Sequence, residues 1–263
     1  MLGVAVLLLV LLLVTGGVAQ ATHLLANQRY GDNAPVCRVT TSQKLVALSF
    51  DDGPSAELTA EALSILQANG AHATFFVQGD HVDANTALLR EEAVDGMEIG
   101  NHTWSHPDLT DLSDDAARAE IERSRDAISS HLAPASVSDL FRAPYGVMTS
   151  TQAAMVRTMG YVPLHWSIAI DHFVNGLGMT PREAADAIAK LVKPGDILLA
   201  HDGPFEDNVE RHAAMDTVSA LLPILRERGF SVTTIGGLLA SGTPVLASPR
   251  TWFWQSGFSC PAA

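Results

Sequence analysis

Asp51 and Asp52 stand side by side at the end of an apolar run, residues 44–50, and the chain then turns through Gly53-Pro54. Adjacent carboxylates repel unless a cation lies nearby, so a metal ligand beside a base is one reading. An Asp-rich turn that caps the following helix is the other, and the motif alone weighs the two equally. His102 and His106 lie four residues apart in His102-Thr103-Trp104-Ser105-His106. Imidazoles at that spacing reach one point on a helical turn, and with one carboxylate they form a three-ligand site open to water, as in catalytic zinc centres. The chain has 10 histidines, so such a pair also arises by chance. Arg142, in Phe141-Arg142-Ala143-Pro144-Tyr145-Gly146, either orients a carboxylate or forms a rim ion pair. His201 ends the run Leu198-Leu199-Ala200-His201; a lone histidine there is more often a satisfied core residue than a catalyst.

Each motif lies where an apolar run ends, the usual place for active sites in parallel α/β folds. The runs are 44–50, 73–79, 97–101, 140–144, 161–168, 196–201 and 231–235, and residues 58–68, 84–93, 113–130, 180–192 and 213–228 have helical period. The alternation predicts a parallel α/β fold with seven strands. Residues 45–50 and 197–200 are apolar on both alternating faces, as strands covered on both sides should be. Pro181 suits the first turn of its helix, and Gly70 and Gly229 suit positions just past helix ends.

The 263 residues are enough for one large domain. Residues 2–14 are apolar and lead to Ala19-Gln20-Ala21, a pattern that predicts a signal peptide cleaved after Ala21. No Lys or Arg precedes the run, which leaves an uncleaved anchor as the alternative. The expected division is signal peptide 1–21, lead-in 22–43, catalytic domain 44–241, and a tail 242–263 packed on that domain. In an oxidising compartment, one cysteine near each end, Cys37 and Cys260, predicts a disulfide joining the termini; two free thiols are the alternative. Lys and Arg number 16 against 29 Asp and Glu, for a net charge of −13. With no basic run, nucleic acid and strongly anionic polymers are not expected partners.

In order, residues 49–54, 102–106, 142–145 and 198–201 resemble the motifs of the polysaccharide deacetylase, or NodB-homology, family, over about residues 46–239. That resemblance implies a distorted (β/α) barrel with about seven parallel strands. It implies that Asp52, His102 and His106 bind one divalent metal ion, zinc first, with cobalt or manganese as alternatives. Asp51 would be the general base, held by Arg142. The Tyr145 backbone N–H would bind the oxyanion, and Leu198 would line the acetyl pocket. His201 would be the general acid, supported by Asp171. Asp171 lies one residue closer to Trp166 than the family pattern places it, and His172 occupies the position of a groove-lining Trp.

The chemistry is coherent in itself. An amide carbonyl is a poor electrophile, and a divalent metal both polarises it and activates water. The amine leaves only when protonated, which calls for a positioned acid. The implied function is hydrolysis of N-acetyl groups from chitin, chito-oligosaccharide or peptidoglycan, releasing acetate. The implied enzyme is monomeric and secreted or periplasmic, without a stable membrane partner after signal cleavage. An O-acetyl xylan esterase is one alternative, and a catalytically silent sugar-binding homologue is another. Loss of Asp51, Asp52, His102, His106 or His201 would favour the silent homologue, and all five are present.

Overall fold

The computed structural model describes residues 33–204, 211–247 and Cys260. The expected signal peptide, the cleavage point after Ala21 and most of the tail lie outside them. The strands are β1 (Val36–Thr40), β2 (Leu45–Asp51), β3 (Thr74–Val77), β4 (Glu98–Asn101), β5 (Val137–Arg142), β6 (Val162–Leu164), β7 (Ile168–Ala169), β8 (Ile197–His201), β9 (Ser231–Thr233) and β10 (Thr243–Leu246). The helices are α1 (Leu58–Asn69), α2 (Thr86–Val94), α3 (Asp114–His131), α4 (Ser150–Thr158), α5 (Pro181–Leu191), α6 (His212–Glu227) and α7 (Ile235–Leu239). Spatial order in the sheet is β10-β1-β6-β5-β4-β3-β2-β8-β7, with β9 also paired to β2. Among these pairs only β1 with β10 is antiparallel.

The expected run 161–168 divides into β6 and β7 because the chain there crosses the mouth of the curled sheet. His165 N–H bonds to the Val36 carbonyl at 2.7 Å and Ser167 N–H to the Ile197 carbonyl at 2.9 Å, so neighbouring residues serve opposite edges. The buried ion pair Arg38–Asp196, at 2.9 Å, joins the same edges. Neither β1 nor β10 was expected from sequence. β1 carries a charged Arg38 whose burial depends on that distant partner, and β10 contains Pro244, tolerated because the strand is at the sheet's end. The disulfide Cys37–Cys260, with Cα atoms 5.7 Å apart, fixes the C-terminal end of the chain to β1.

Residues two apart on a strand share a face, and this alternation positions the site. On β2, Val46, Leu48 and Phe50 pack outward in the large core beneath α1, α5 and α6. Ala47 packs inward in the small core with Phe76, Leu140 and Ile197. Ser49 and Asp51 follow Ala47 on the inner side, as Arg142 follows Leu140 and as Leu199 and His201 follow Ile197. The interior is therefore apolar where the strands begin and polar where they end. Burial of each large apolar side chain in these layers contributes about 1.5–3 kcal/mol, which is what holds the charged rim in place. Pro181 starts α5 behind a Thr180/Glu183 capping box, and Gly70 ends α1 at φ 59°.

Candidate active site

Asp52 follows β2 in a left-handed conformation (φ 77°), and Thr103 (φ 70°), His106 (φ 57°) and Tyr145 (φ 57°) share that rare geometry. These are the positive-φ residues other than glycine among the described residues, and all lie in three loops at one end of the barrel. Such conformations cost about 1–3 kcal/mol each and persist where surrounding structure over-determines them. Their effect is to converge three donor atoms. Asp52 Oδ1 lies 3.3 Å from His102 Nε2 and 3.3 Å from His106 Nε2. Oδ1 is buried yet makes no hydrogen bond. The His102 Nδ1 proton goes to the Arg142 carbonyl at 2.8 Å, since a carbonyl can only accept, and the Nε2 lone pair is left facing Asp52. One carboxylate oxygen and two imidazole nitrogens, all within 4.8 Å of one another, fit a divalent cation with room for water.

The electrostatics agree with this geometry. Burial alone would raise the Asp52 carboxyl, but the two imidazoles outweigh it and hold the group well below the ordinary carboxylate range. Burial would lower His102, whereas the Asp51 and Asp52 charges raise it. Behind Asp52 lies Asp202, which accepts from Gly53 N–H at 3.2 Å and from the Thr59 hydroxyl at 2.5 Å. Burial pushes this carboxyl up to about 7 against the Thr59 bond, with the Asp52 and Asp51 charges adding to the rise. Glu92 is raised as well, by burial and by Asp202.

Asp51 faces the same space but has a different partner. Its Oδ1 accepts from Arg142 Nη1 at 2.6 Å, and its Oδ2 lies 3.8 Å from His102 Nε2. Arg142 is fully buried, lies 4.2 Å over the Phe76 ring, and also donates to the Ser49 hydroxyl at 2.9 Å and the His165 carbonyl at 3.2 Å. Burial lowers its pKa, and Asp51 opposes that. A guanidinium fixed on four sides holds one carboxylate oxygen and leaves the other to act.

His201 is the register partner of Asp51 across β2 and β8. Its Nδ1 lies 2.9 Å from Asp171 Oδ2, so Nδ1–H points at the carboxylate and Nε2 remains for proton exchange. Burial would raise Asp171, but His201 and then Arg211 hold it below the usual range. Arg211, which immediately precedes α6, was not foreseen from sequence. Its Nη1 lies 3.2 Å from Asp171 Oδ1 and its Nη2 3.2 Å from Asp52 Oδ2. Those partners are 40 and 159 residues away, and no local spacing announces them.

Leu198, expected to line the acetyl pocket, does not face the site. It packs in the outer core, because odd and even residues of β8 face opposite sides, and Leu199 is the leucine on His201's face. His172 begins a π-helical turn, His172–Gly176. Its ring contacts Phe173 at 6.0 Å, and its Nδ1 lies 2.7 Å from where a Cβ at Gly176 would stand. It therefore packs against its own turn. The Tyr145 ring meets His106 edge-on at 4.7 Å and is 40% exposed, which places that loop at the rim of the cluster.

A family model described as polysaccharide deacetylase matches residues 38–164. A chitooligosaccharide deacetylase of Rhizobium leguminosarum bv. trifolii is 30% identical over 221 residues, covering 78% of this chain and 97% of that protein. A peptidoglycan-N-acetylglucosamine deacetylase of Bacillus cereus is 29% identical over 209 residues, covering 76% and 91%. Among solved structures, a peptidoglycan deacetylase of Bacillus subtilis matches with a TM-score of 0.65 at 28% identity, covering 77% of this chain and 93% of that one.

Proposed function

The chain belongs to the polysaccharide deacetylase family, and on that premise we propose that it removes N-acetyl groups from an amino-sugar polymer or oligomer by metal-dependent hydrolysis. The observation that carries this reading is the pairing of Asp51 with His201 across adjacent strands, beside the Asp52, His102 and His106 cluster. A base and an acid then flank the point where three ligand atoms converge.

A divalent cation held by Asp52, His102 and His106 supplies Lewis acidity toward the amide carbonyl and lowers the pKa of water. Asp51 Oδ2 takes a proton from the attacking water, while Arg142 holds Oδ1. The water oxygen bonds to the acetyl carbon, and the Tyr145 N–H donates to the oxyanion that develops. His201 Nε2 gives a proton to the amine as the C–N bond breaks, and acetate leaves. Leu199, rather than Leu198, supplies apolar surface beside His201.

Substrates such as chito-oligosaccharide or peptidoglycan are supported by the named activities of the relatives. We also propose zinc as the metal, a monomeric state, and export directed by residues 1–21; the Cys37–Cys260 disulfide supports an oxidising compartment. No helix among the described residues is long and apolar enough to cross a membrane. The test is acetate release from N-acetylated and O-acetylated oligomers after chelation and after return of zinc, cobalt or manganese. Metal-restored release from N-acetyl substrates is expected. Exclusive action on O-acetyl groups, or full activity in protein shown to be metal-free, overturns the proposal.

A further inference from the structure

We infer that Arg211 is a positioning residue that couples the ligand cluster to the acid pair. The inference rests on the deacetylase reading for its kinetic part and on geometry alone for the rest. Each of the two carboxylates on Arg211 divides its oxygens between two tasks. Asp52 turns Oδ1 to the imidazoles and Oδ2 to Arg211 Nη2. Asp171 turns Oδ2 to His201 and Oδ1 to Arg211 Nη1. The order Asp52–Arg211–Asp171–His201 is thus unbroken from the ligand cluster to the proton donor. All four side chains come from different segments, and the Arg211 side chain is 7% exposed.

Two properties of arginine make it suited to this place. Its planar fork presents two nitrogens to two acceptors at a fixed separation, which an ammonium on a flexible stem does not. Its charge also offsets two carboxylates, Asp52 buried and Asp171 13% exposed, that would otherwise repel each other across the cleft. With Oδ2 held, Asp52 is restricted to offering Oδ1 to a cation. With Oδ1 held, Asp171 is restricted to orienting the imidazole through Oδ2. Partners of this kind around ligating carboxylates typically change metal affinity or activity by about 10–100-fold.

The experiment compares wild-type protein with Arg211→Met, Arg211→Lys and Asp171→Asn. Zinc affinity of the metal-stripped proteins is measured by chelator competition, the cobalt-loaded absorption spectrum is recorded, and kcat and KM are obtained from acetate release. Arg211→Met should weaken zinc binding about 10-fold and alter the cobalt spectrum, and it should lower kcat about 10–100-fold with KM within about twofold. Arg211→Lys, the milder change if the Met variant folds poorly, should recover part of both losses. Asp171→Asn touches no ligand, yet it should change zinc affinity, and that change should be non-additive with Arg211→Met in the double variant. Wild-type zinc affinity in both Arg211 variants overturns the coupling, as does strict additivity. A rise in KM with kcat intact assigns Arg211 to substrate contact instead. A wild-type protein that binds zinc but releases no acetate refutes the deacetylase reading, and the zinc and cobalt measurements then decide the Arg211 inference by themselves.

Discussion

The two halves of the site hold their side chains in opposite ways. Asp52, His106 and Tyr145 stand on short loops whose backbone is left-handed at the functional residue. His201 is on a regular strand, while Asp171 and Arg211 have right-handed backbone, and charged contacts across long sequence separations hold the three in place. One half is fixed by backbone, the other by side-chain partners. The difference shows which perturbations each half should resist: the first depends on ligand identity and loop geometry, the second on keeping every member of a charge relay.

The largest expected effect comes from removing a converging donor. Asp52→Ala should weaken zinc binding by more than about 100-fold, beyond the range typical of outer partners, and abolish acetate release; retention of zinc would place the metal elsewhere. Next, Asp51→Asn should keep zinc and lower kcat by about 10²–10⁴, the range for a positioned general base. Equilibrium dialysis alongside kinetics separates these two neighbours, and a variant with near-normal turnover would remove Asp51 from the base role. In the other half, Asp171→Asn should lower kcat about 10–100-fold by freeing the His201 ring. If it costs more than Asp51→Asn, the contrast between a chemical group and a supporting one is wrong.

A smaller effect concerns stability. In metal-stripped protein the Asp202 carboxyl, raised by burial to about 7 from 3.8, binds more protons folded than unfolded. Its contribution is present at low pH and is lost as pH rises through about 4 to 7. Asp202→Asn should therefore narrow the difference in Tm between about pH 5 and pH 8, and calorimetry showing an unchanged difference would contradict the assignment. The smallest effect is at Thr103, a β-branched residue at φ 70°. Thr103→Gly should change stability by no more than about 1 kcal/mol, because relief of left-handed strain offsets the entropy cost of glycine. A denaturant titration giving a larger loss would show that the loop is held by the Thr103 side chain.

The same contrast explains what was legible in the sequence. Asp51-Asp52, His102 and His106 are readable because their chemistry demands particular residue types at close spacing. The barrel is readable because buried strands are apolar on both faces. Arg211 is not, since its role exists only once segments 40 and 159 residues distant come together. Two further signals lie in the sequence. Thr149 and Gln152 form a capping box at the start of α4, a helix the apolar periodicity did not reveal. Counting back in twos from His201 reaches Leu199, not Leu198. β1 and β10 remain hard to read because their short segments contain Arg38 and Pro244, which only tertiary context accommodates.

The Cys37–Cys260 bond makes nearly the whole described chain a covalent ring, with 223 residues of sequence separation between its ends. A protease that cuts at an exposed stretch, such as residues 175–178, would open that ring without releasing a fragment. The nicked protein should migrate as one species on a denaturing gel until reductant is added and as two thereafter. The halves contributing Asp52 and Arg211 would stay tethered through the cut, and reassembly of the site after denaturation would remain a unimolecular event.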